Sequence, residues 1–466
     1  MTKNFFKTTP DSHLFIDEDL RLFEFPQTFS ASAIWHKNKM DKKIATYDLV
    51  VRDMPKNRNF MLLGGVEEII KGILKWKYSD DEVDYLLREG IITEEFSKYL
   101  KIFRFTGDVY AMPEGTPFFP GEPVIRITAP IIEGNLITMF LINSITSNTI
   151  FFTKLIRNVI AASGINIIGP AGLRAHGFEA AMKACRANYL CGLNFVVPAF
   201  YRKYNLEMPP VITVGYHAYI KSFNREIEAM RIMGNTFSSR ATSLMIDTYD
   251  VDTGLKNAIT VIKELKNKNI PLPSVFIDSG DLLSLTRMAR KELDKEGLSE
   301  VKIVIASNLD EYKIGSYVKE KIPVDTFVTA TEAITSADAP KLETVYKMAE
   351  LRDENKITNL AKLTKGKSSL PGRKNVFRIR EDGKMRYDII GEENENLGEP
   401  LLVKMIENGE LIHNMPEMPA IKRYIKEQVA KLPDHLLSID RQEKYEVKIS
   451  EKIENLLNEV KKEHLK

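Results

Sequence analysis

Two short apolar runs in the middle of the chain each lead into a pair of aspartates. Residues 243–246 precede Asp-Thr-Tyr-Asp at 247–250, and residues 274–277 precede Asp-Ser-Gly-Asp at 278–281. In parallel α/β folds, reacting groups collect at the carboxyl ends of strands, because the loops there vary freely. A helix is predicted over residues 282–293, and its first backbone N–H groups can face an anion. The acidic clusters are candidates for an active site or, alternatively, for caps of the following helices.

The segment between the two acidic clusters is predicted to form a helix, which would fix their relative positions. Residues 254–268 carry apolar side chains at helical spacing, namely Leu255, Ala258, Ile259, Ile262 and Leu265. The acidic strand ends lie 31 positions apart (278 − 247), which is typical of a βα repeat. Strand 301–306, helix Glu311–Lys319 and strand 326–329 continue the alternation. Such right-handed units in series favour an α/β barrel over an open sheet.

The flanking segments predict a second, discontinuous domain. We expect a strand at 45–52, helices at 61–74 and 80–89, a β-rich stretch at 101–130, helices at 133–160 and 177–189, a strand at 211–214 and a helix at 218–233. Short strands follow residue 366, and helices are predicted at 417–431 and 447–466. The predicted division is an N-terminal α+β domain (1–135), the barrel (136–365) and a C-terminal segment (366–466) that returns to the N-terminal domain.

Composition excludes several classes of protein. The chain has 466 residues, and its 66 basic residues nearly balance 64 acidic ones, so neither nucleic-acid binding nor membrane adsorption is expected. The most apolar stretch, 136–152, is interrupted by polar residues that include Asn143, Ser144, Thr146 and Asn148, and the N-terminus lacks the pattern of a signal peptide. Cys185 and Cys191 match no metal spacing and are expected to be structural thiols. We therefore expect a cytoplasmic protein.

Seven ordered motifs resemble the nicotinate phosphoribosyltransferase family, which has the type II phosphoribosyltransferase fold. They are FTGDVYAMPEGTPFFPGEPVIRITAPIIEGNL (105–136), IDTYDV (246–251), IDSGDL (277–282), IASNLDEY (305–312), ITSADAPKLETVYKM (334–348), LPGRKNVFRI (370–379) and KLPDHL (431–436). The resemblance implies an irregular, TIM-like α/β barrel and a discontinuous α+β domain. It also implies a homodimer in which a neighbouring subunit helps to complete each site.

The reaction that the resemblance implies joins nicotinate to phosphoribosyl pyrophosphate. It yields nicotinate mononucleotide and pyrophosphate, and a phosphohistidine couples it to ATP hydrolysis. The displacement passes through an oxocarbenium-like state, for which carboxylates near the ribose and Mg²⁺ on the pyrophosphate are suited. Mg²⁺ is expected to enter with phosphoribosyl pyrophosphate and ATP. No tightly bound cofactor and no metal site formed by the protein alone are predicted.

The resemblance also assigns residues to roles. Those assigned to catalysis are His217, Asp247 and Asp278; those assigned to substrate are Arg174, Asp250, Gly280 and Thr331; those assigned to phosphate are Ser307, Asn308 and Thr329. His176 is the competing histidine. Taken without the family, Arg174 fits a surface ion pair. The basic residues Lys365, Lys367, Arg373 and Lys374 fit either a solvated surface or a phosphate contact.

Several positions depart from the family pattern near the expected site. Gln27 and Phe29 stand nearest to an expected tyrosine, Leu173 and Phe276 replace arginines, Val214 replaces a threonine, and Val328 and Ala330 replace glycines of a phosphate loop. Loss of a charge-assisted contact typically costs about 1.5–3 kcal/mol. Two alternatives to the family reaction follow: a phosphoribosyltransferase for another base, or a non-catalytic homologue that acts as a binding or regulatory scaffold.

Overall fold

The computed structural model describes residues 19–169, 172–195, 197–208, 213–214, 216–239, 242–354 and 356–465. Its strands are β1 (Ile44–Val51), β2 (Met61–Leu62), β3 (Asp108–Ala111), β4 (Pro117–Phe118), β5 (Pro123–Pro130), β6 (Asn166–Ile168), β7 (Thr213–Val214), β8 (Thr242–Met245), β9 (Ser274–Ile277), β10 (Ile303–Ile305), β11 (Thr326–Val328), β12 (Thr344–Asp353), β13 (Lys356–Asn359), β14 (Lys374–Glu381), β15 (Lys384–Glu392), β16 (Glu399–Pro400), β17 (Val403–Glu407), β18 (Glu410–Leu411) and β19 (Val447–Ile449).

Its α-helices are α1 (Pro26–Lys37), α2 (Val66–Leu74), α3 (Asp80–Arg88), α4 (Glu94–Lys101), α5 (Ile131–Asn135), α6 (Thr138–Ala162), α7 (Phe178–Cys191), α8 (Pro198–Tyr204), α9 (His217–Lys221), α10 (Glu226–Thr236), α11 (Val251–Asn267), α12 (Leu282–Lys295), α13 (Glu311–Lys319), α14 (Thr331–Thr335), α15 (Met418–Ala430) and α16 (Glu451–His464). Two 3₁₀ helices lie at Asp19–Leu22 and Asp434–Leu437.

The parallel sheet is the scaffold of the candidate site. Its strand order is β6-β11-β10-β9-β8-β7, and every pairing within it is parallel. The successive βα units predicted from the sequence are thus adjacent in space, and α11, α12 and α13 connect β8, β9, β10 and β11. A parallel bridge from Ile168 to Asn194 extends one end of the sheet. The predicted strand 211–214 is described at Thr213 and Val214, whereas residues 211–212 lie outside the described residues. The α/β class is confirmed, and closure of the sheet into a barrel stays a prediction.

A second core forms around an antiparallel sheet of order β13-β12-β1-β5-β3-β17-β18. Strand β17 comes from the C-terminal segment and pairs with β3, so distant parts of the chain meet in one sheet. Strand β12, which lies within the segment 136–365, pairs with β1 along its whole length. A third sheet, β16-β14-β15-β19, packs nearby, and Arg126 of β5 donates to the carbonyl of Lys374 at 2.7 Å.

Several predicted helices are divided in the structure. Residues 61–74 form β2 and then α2, because Gly65 adopts φ 97° directly before α2. The predicted helix 133–160 is α5 followed by α6, and the predicted helix 218–233 is α9 followed by α10. The segment 447–466 begins as strand β19 before α16 starts at the Ser450 cap. Helix α3, in contrast, begins as predicted at Ser79, which forms a capping box with Glu82.

The longest apolar helical stretch is central to the core. Within the described part of the chain, Ile131–Ala162 is long and apolar enough to cross a membrane, but 61% of its most apolar window is buried inside the protein. Helix α6 packs against α7 and α13 and buries polar side chains such as Asn148, Lys154 and Arg157. Those contacts are typical of a core helix rather than of a lipid-facing one.

Candidate active site

Asp247 and Asp278 lie side by side at the carboxyl ends of β8 and β9. Oδ2 of Asp247 accepts the backbone N–H of Asp278 at 3.0 Å and the hydroxyl of Ser279 at 2.6 Å. Oδ1 of Asp247 is buried and has no hydrogen-bond partner among the described residues. Burial, and then the negative charge of Asp247, raises the pKa of Asp278, while His217 and Arg174 act in the opposite direction. The sheet therefore places the two carboxylates so close together that the charge of Asp247 acts on Asp278.

His217 belongs to the same group of side chains. It is the first residue of α9, and its Nδ1 lies 3.2 Å from Oγ1 of Thr248, the residue after Asp247. If Nδ1 carries the ring proton and donates it to Thr248, Nε2 is the unprotonated nitrogen and can act as a nucleophile. The structure thus brings together the three residues assigned to catalysis, from three different loops.

Arg174 and Thr331 form a second pair at this face. Nη1 of Arg174 donates to Oγ1 of Thr331 at 3.2 Å, across 157 positions of sequence. Arg174 is exposed and pairs with no carboxylate in the described part of the chain, so the expected surface ion pair is not observed. Its effect on the pKa of Asp278 places its positive charge near the carboxylates. An anionic substituent of a substrate can bind between these groups.

Asp250 and Asp281 are helix caps. Asp250 accepts the backbone N–H of Thr253 at 2.8 Å, and hydrogen bonds from Thr253 lower its pKa. Asp281 accepts the backbone N–H of Ser284 at 3.4 Å and its hydroxyl at 2.6 Å. Both side chains are exposed, so a cap and a substrate contact are compatible in each.

Two loops carry left-handed backbone conformations. Gly280 has φ +84°, and a Cβ there would lie 2.9 Å from Leu285, so glycine suits this turn between β9 and α12. Ser307 and Asn308 have φ 85° and 43° in the loop after β10. Such strain costs about 1–3 kcal/mol per non-glycine residue and persists only where surrounding contacts fix it. Loops held in this way often contact ligands.

Thr329, which was predicted to contact phosphate, has a buried side chain. Its side chain is 1% exposed, and its hydroxyl donates to the carbonyl of Ile168 at 3.2 Å. The hydroxyl that was assigned to phosphate is therefore hydrogen-bonded to the neighbouring strand, β6. Because the side chain is buried, only its neighbours Ala330 and Thr331 present exposed or half-buried atoms on this loop.

The departures from the family pattern occupy different environments. Phe276 packs with Met245, Val304 and Ala306 in an apolar cluster on the sheet, against which Val328 also packs. Phe29 is 1% exposed and belongs to the N-terminal core, so it presents no stacking face. Gln27 lies exposed on α1, and the Leu173 side chain is 90% exposed. Val214 lies in β7, and its side chain is outside the described residues.

His176 and the basic cluster lie at other pockets. His176 lines a pocket of about 400 Å³ between α6, α7 and α14. Lys374 is buried and pairs with Asp48 at 2.6 Å, and Arg373 pairs with Glu350 at 2.9 Å, so neither is a free cation.

A basic pocket of about 400 Å³ contains two members of the predicted basic cluster, Lys367 and Lys374, together with two cations that the sequence predictions missed. Arg52, Lys347 and Lys367 line it. Burial, then the charges of Lys362, Arg52 and Lys367, lowers the pKa of Lys347, which shows that several cations lie close together. Arg52 follows β1 and Lys347 lies in β12, so only the pairing of these strands brings them together. No local spacing in the sequence indicates that Arg52 and Lys347 lie at this pocket.

Comparisons with known proteins indicate the family of the chain. The family model of the nicotinate phosphoribosyltransferase N-terminal domain matches residues 26–146, and that of its C-terminal domain matches residues 396–457. A nicotinate phosphoribosyltransferase of Mycobacterium tuberculosis is 33% identical over 88% of this chain and 87% of its own. One from Bacillus subtilis is 29% identical over 94% of both chains. The structure of human nicotinic acid phosphoribosyltransferase superposes with a TM-score of 0.79 at 18% identity, covering 94% of this chain and 99% of the human one.

Proposed function

Because the chain belongs to the nicotinate phosphoribosyltransferase family, we propose that it transfers the phosphoribosyl group of phosphoribosyl pyrophosphate to nicotinate. The bond from the anomeric carbon to pyrophosphate breaks, and the pyridine nitrogen forms a bond to that carbon. The products are nicotinate mononucleotide and pyrophosphate, in NAD synthesis. The observation that carries this proposal is the cluster of His217, Asp247 and Asp278 at adjacent strand ends.

The carboxylates stabilise the positive charge that develops on the sugar. Asp247 and Asp278 are preorganised, since the first accepts a hydrogen bond from the backbone of the second, and little reorganisation is needed as charge develops. Arg174 binds the carboxylate of nicotinate, with Thr331 holding the guanidinium in place. Asp250 and the turn at Gly280 contact the ribose, and the loop at Ser307 and Asn308 contacts the phosphate.

Mg²⁺ is a component of the substrates in this proposal. The described residues contain no group of three histidine, cysteine or acidic side chains that could hold a metal by themselves. Oδ1 of Asp247, buried without a hydrogen-bond partner, is the protein oxygen that would contact a Mg²⁺ ion bound mainly by pyrophosphate. Such an ion neutralises charge on the leaving group.

ATP drives the reaction through His217. Thr248 engages Nδ1, so Nε2 attacks the γ-phosphorus of ATP, the N–P bond forms and ADP leaves. Water then cleaves the N–P bond and releases phosphate.

A second copy of the chain completes the site in this proposal. The exposed apolar side chains Leu173, Phe178, Tyr216 and Tyr249 lie on the loops and helix starts of the candidate site. Exposed apolar groups clustered at one face are typical of an interface. The basic pocket of Arg52, Lys347 and Lys367 offers cations in addition to Arg174, and a second copy could present it to the phosphates. Free, buried cysteines suit a reducing compartment, and we place the enzyme in the cytoplasm.

A binding scaffold without catalysis is the second candidate. The apolar environment of Phe276 favours it, because four apolar side chains surround the position at which the family pattern has an arginine. A phosphoribosyltransferase for another base is intermediate between the nicotinate enzyme and the scaffold, because it would keep catalysis but change the substrate.

Product formation from nicotinate, phosphoribosyl pyrophosphate and Mg-ATP, followed by mass spectrometry, separates these candidates. We expect nicotinate mononucleotide from the wild type and loss of ATP-stimulated turnover in His217→Ala. His176→Ala is the matched control and should keep that turnover. No product with nicotinate but product with another pyridine would establish a different base. No product with any base would favour the scaffold.

A further inference from the structure

Five charged side chains form a buried charge cluster where α6, α13 and the segment after α14 meet. Its members are Arg58, Lys154, Arg157, Glu311 and Asp338. The first four are at most 2% exposed, and the side chain of Asp338 is 21% exposed. Three cations thus share two carboxylates, and only Asp338 is partly exposed to solvent.

Each carboxylate of the cluster is held by more than one cation. Arg58 donates to both oxygens of Asp338, at 2.7 and 3.0 Å, and Lys154 donates to Asp338 at 2.8 Å. Glu311 accepts from Nε of Arg157 at 3.0 Å and also contacts Lys154. Burial alone would raise the pKa of Asp338, but the hydrogen bond and charge of Arg58, followed by Lys154, hold it well below its usual range. Both carboxylates are therefore fixed in position.

Stabilisation of the fold does not by itself explain a buried cluster of charges. Taking charges out of water is costly, and well-packed apolar side chains of similar volume often stabilise a core equally well or better. A buried network of charges is, however, specific in geometry, because each ion pair tolerates little displacement. The segments that the carboxylates anchor then indicate what the cluster positions.

Both carboxylates anchor segments of the candidate active site. Glu311 is the first residue of α13 and follows the loop that contains Ser307 and Asn308 in left-handed conformations. Asp338 lies three residues after the end of α14, the helix that begins with Thr331. The loop is also held by Lys313, whose Nζ donates to the carbonyl of Asn308 at 2.9 Å. The carboxylates that follow the 307–310 loop and α14 thus bind to one shared set of cations.

We propose that Glu311 and Asp338 are positioning residues for the phosphate-bearing substrate. The buried charge cluster fixes the separation of the 307–310 loop from α14, and that separation sets the affinity for pyrophosphate-containing ligands. This inference rests on the proposed function for the identity of the ligand. It concerns residues that touch neither substrate nor reacting atoms.

The test compares Glu311→Gln and Asp338→Asn with a matched control, Glu114→Gln. Glu114 is likewise buried and pairs with Arg186 at 2.7 Å, but that pair joins α7 to the loop before β4. All three variants should lower the unfolding midpoint. Only the two cluster variants should raise the KM for phosphoribosyl pyrophosphate, by about tenfold, with the KM for nicotinate changed less than about twofold. Glu311→Asp, which keeps the charge, should restore most of that affinity.

Binding of Mg-pyrophosphate, measured by calorimetry, separates this inference from the proposed function. A wild type that makes no product, yet binds pyrophosphate about tenfold more tightly than Glu311→Gln does, would leave the positioning role standing and overturn the proposed reaction. A wild type that makes product, with pyrophosphate affinity unchanged in both cluster variants, would overturn the positioning role alone. Absence of both product and pyrophosphate binding in the wild type would overturn both.

Discussion

Gly254, in the first turn of α11, lies against the carbonyl of Ile246 at the end of β8. A Cβ at position 254 would be 2.0 Å from that oxygen, which is backbone and cannot rotate away. The close approach fixes where the loop from Asp247 to Asp250 leaves the sheet. Glycine is needed here for space and not for an unusual backbone angle, since Gly254 is absent from the residues with positive φ.

The Gly254→Ala variant should therefore lose both stability and activity. We expect about 2–4 kcal/mol lower free energy of unfolding in urea, because α11 must move away from β8. Displacement of Asp247 should also reduce kcat. Gly315→Ala is the matched control: Gly315 lies in α13, a Cβ added there would have nothing within 4 Å, and alanine should stabilise by about 0.5–1 kcal/mol. Equal stability of the two variants would contradict the assigned role of Gly254.

The sequence was informative wherever local chemistry decides structure. The acidic ends of β8 and β9, the capping aspartates and the repeated βα units follow from spacing of 31 residues and helical periodicity. Contacts between distant residues were not predictable in this way. Arg174 contacts Thr331, and Arg52 lines the same pocket as Lys347, only because particular strands pair. The burial of Thr329 likewise depends on the pairing of β11 with β6, which a motif does not specify.

The raised pKa of Asp278 should appear in the pH dependence of the reaction. A working carboxylate must be ionised, so kcat/KM should rise with pH through the pKa of Asp278, above the ordinary range of an aspartate. Arg174 lowers that pKa, so Arg174→Gln should move the acidic limb to higher pH. Profiles of kcat/KM for wild type and variant test this. An unshifted limb would show that Arg174 does not act on Asp278.

The buried acid pair Glu122 and Asp388 should make stability depend on pH. Burial, then the charge of Asp388, holds the pKa of Glu122 well above 4.5, although Arg378 opposes the shift. A folded-state pKa above the unfolded value means that the stabilisation is complete below pH 4.5 and is lost as pH rises towards the folded pKa.

Urea unfolding at several pH values between about 4.5 and about 9 tests this dependence. The wild type should lose free energy of unfolding as pH rises, and Glu122→Gln should lose less because it cannot ionise. Parallel curves for the two proteins would rule out a raised pKa of Glu122.

The two cysteines should be unreactive in the folded protein. Both are free and buried, and burial raises the pKa of Cys185 to about 11 and that of Cys191 still further. Because the thiolate is the reactive form, a disulfide reagent should label neither native thiol quickly at about pH 8 and both in denaturant. Rapid native labelling of either thiol would mean that α7 opens in solution.

Thr248 gives the sharpest test of the phosphohistidine, because its hydroxyl selects the nucleophilic nitrogen of His217. Thr248→Val keeps the shape but removes the partner of Nδ1, so Nδ1 and Nε2 then compete for the proton. Loss of one hydrogen bond of about 1 kcal/mol corresponds to an approximately fivefold slower transfer from radiolabelled ATP to His217. Thr248→Ser retains the hydroxyl and should label at close to the wild-type rate. If valine labels as fast as serine, the 3.2 Å contact does not orient the imidazole. If neither variant nor the wild type is labelled, His217 is not the phosphoryl acceptor.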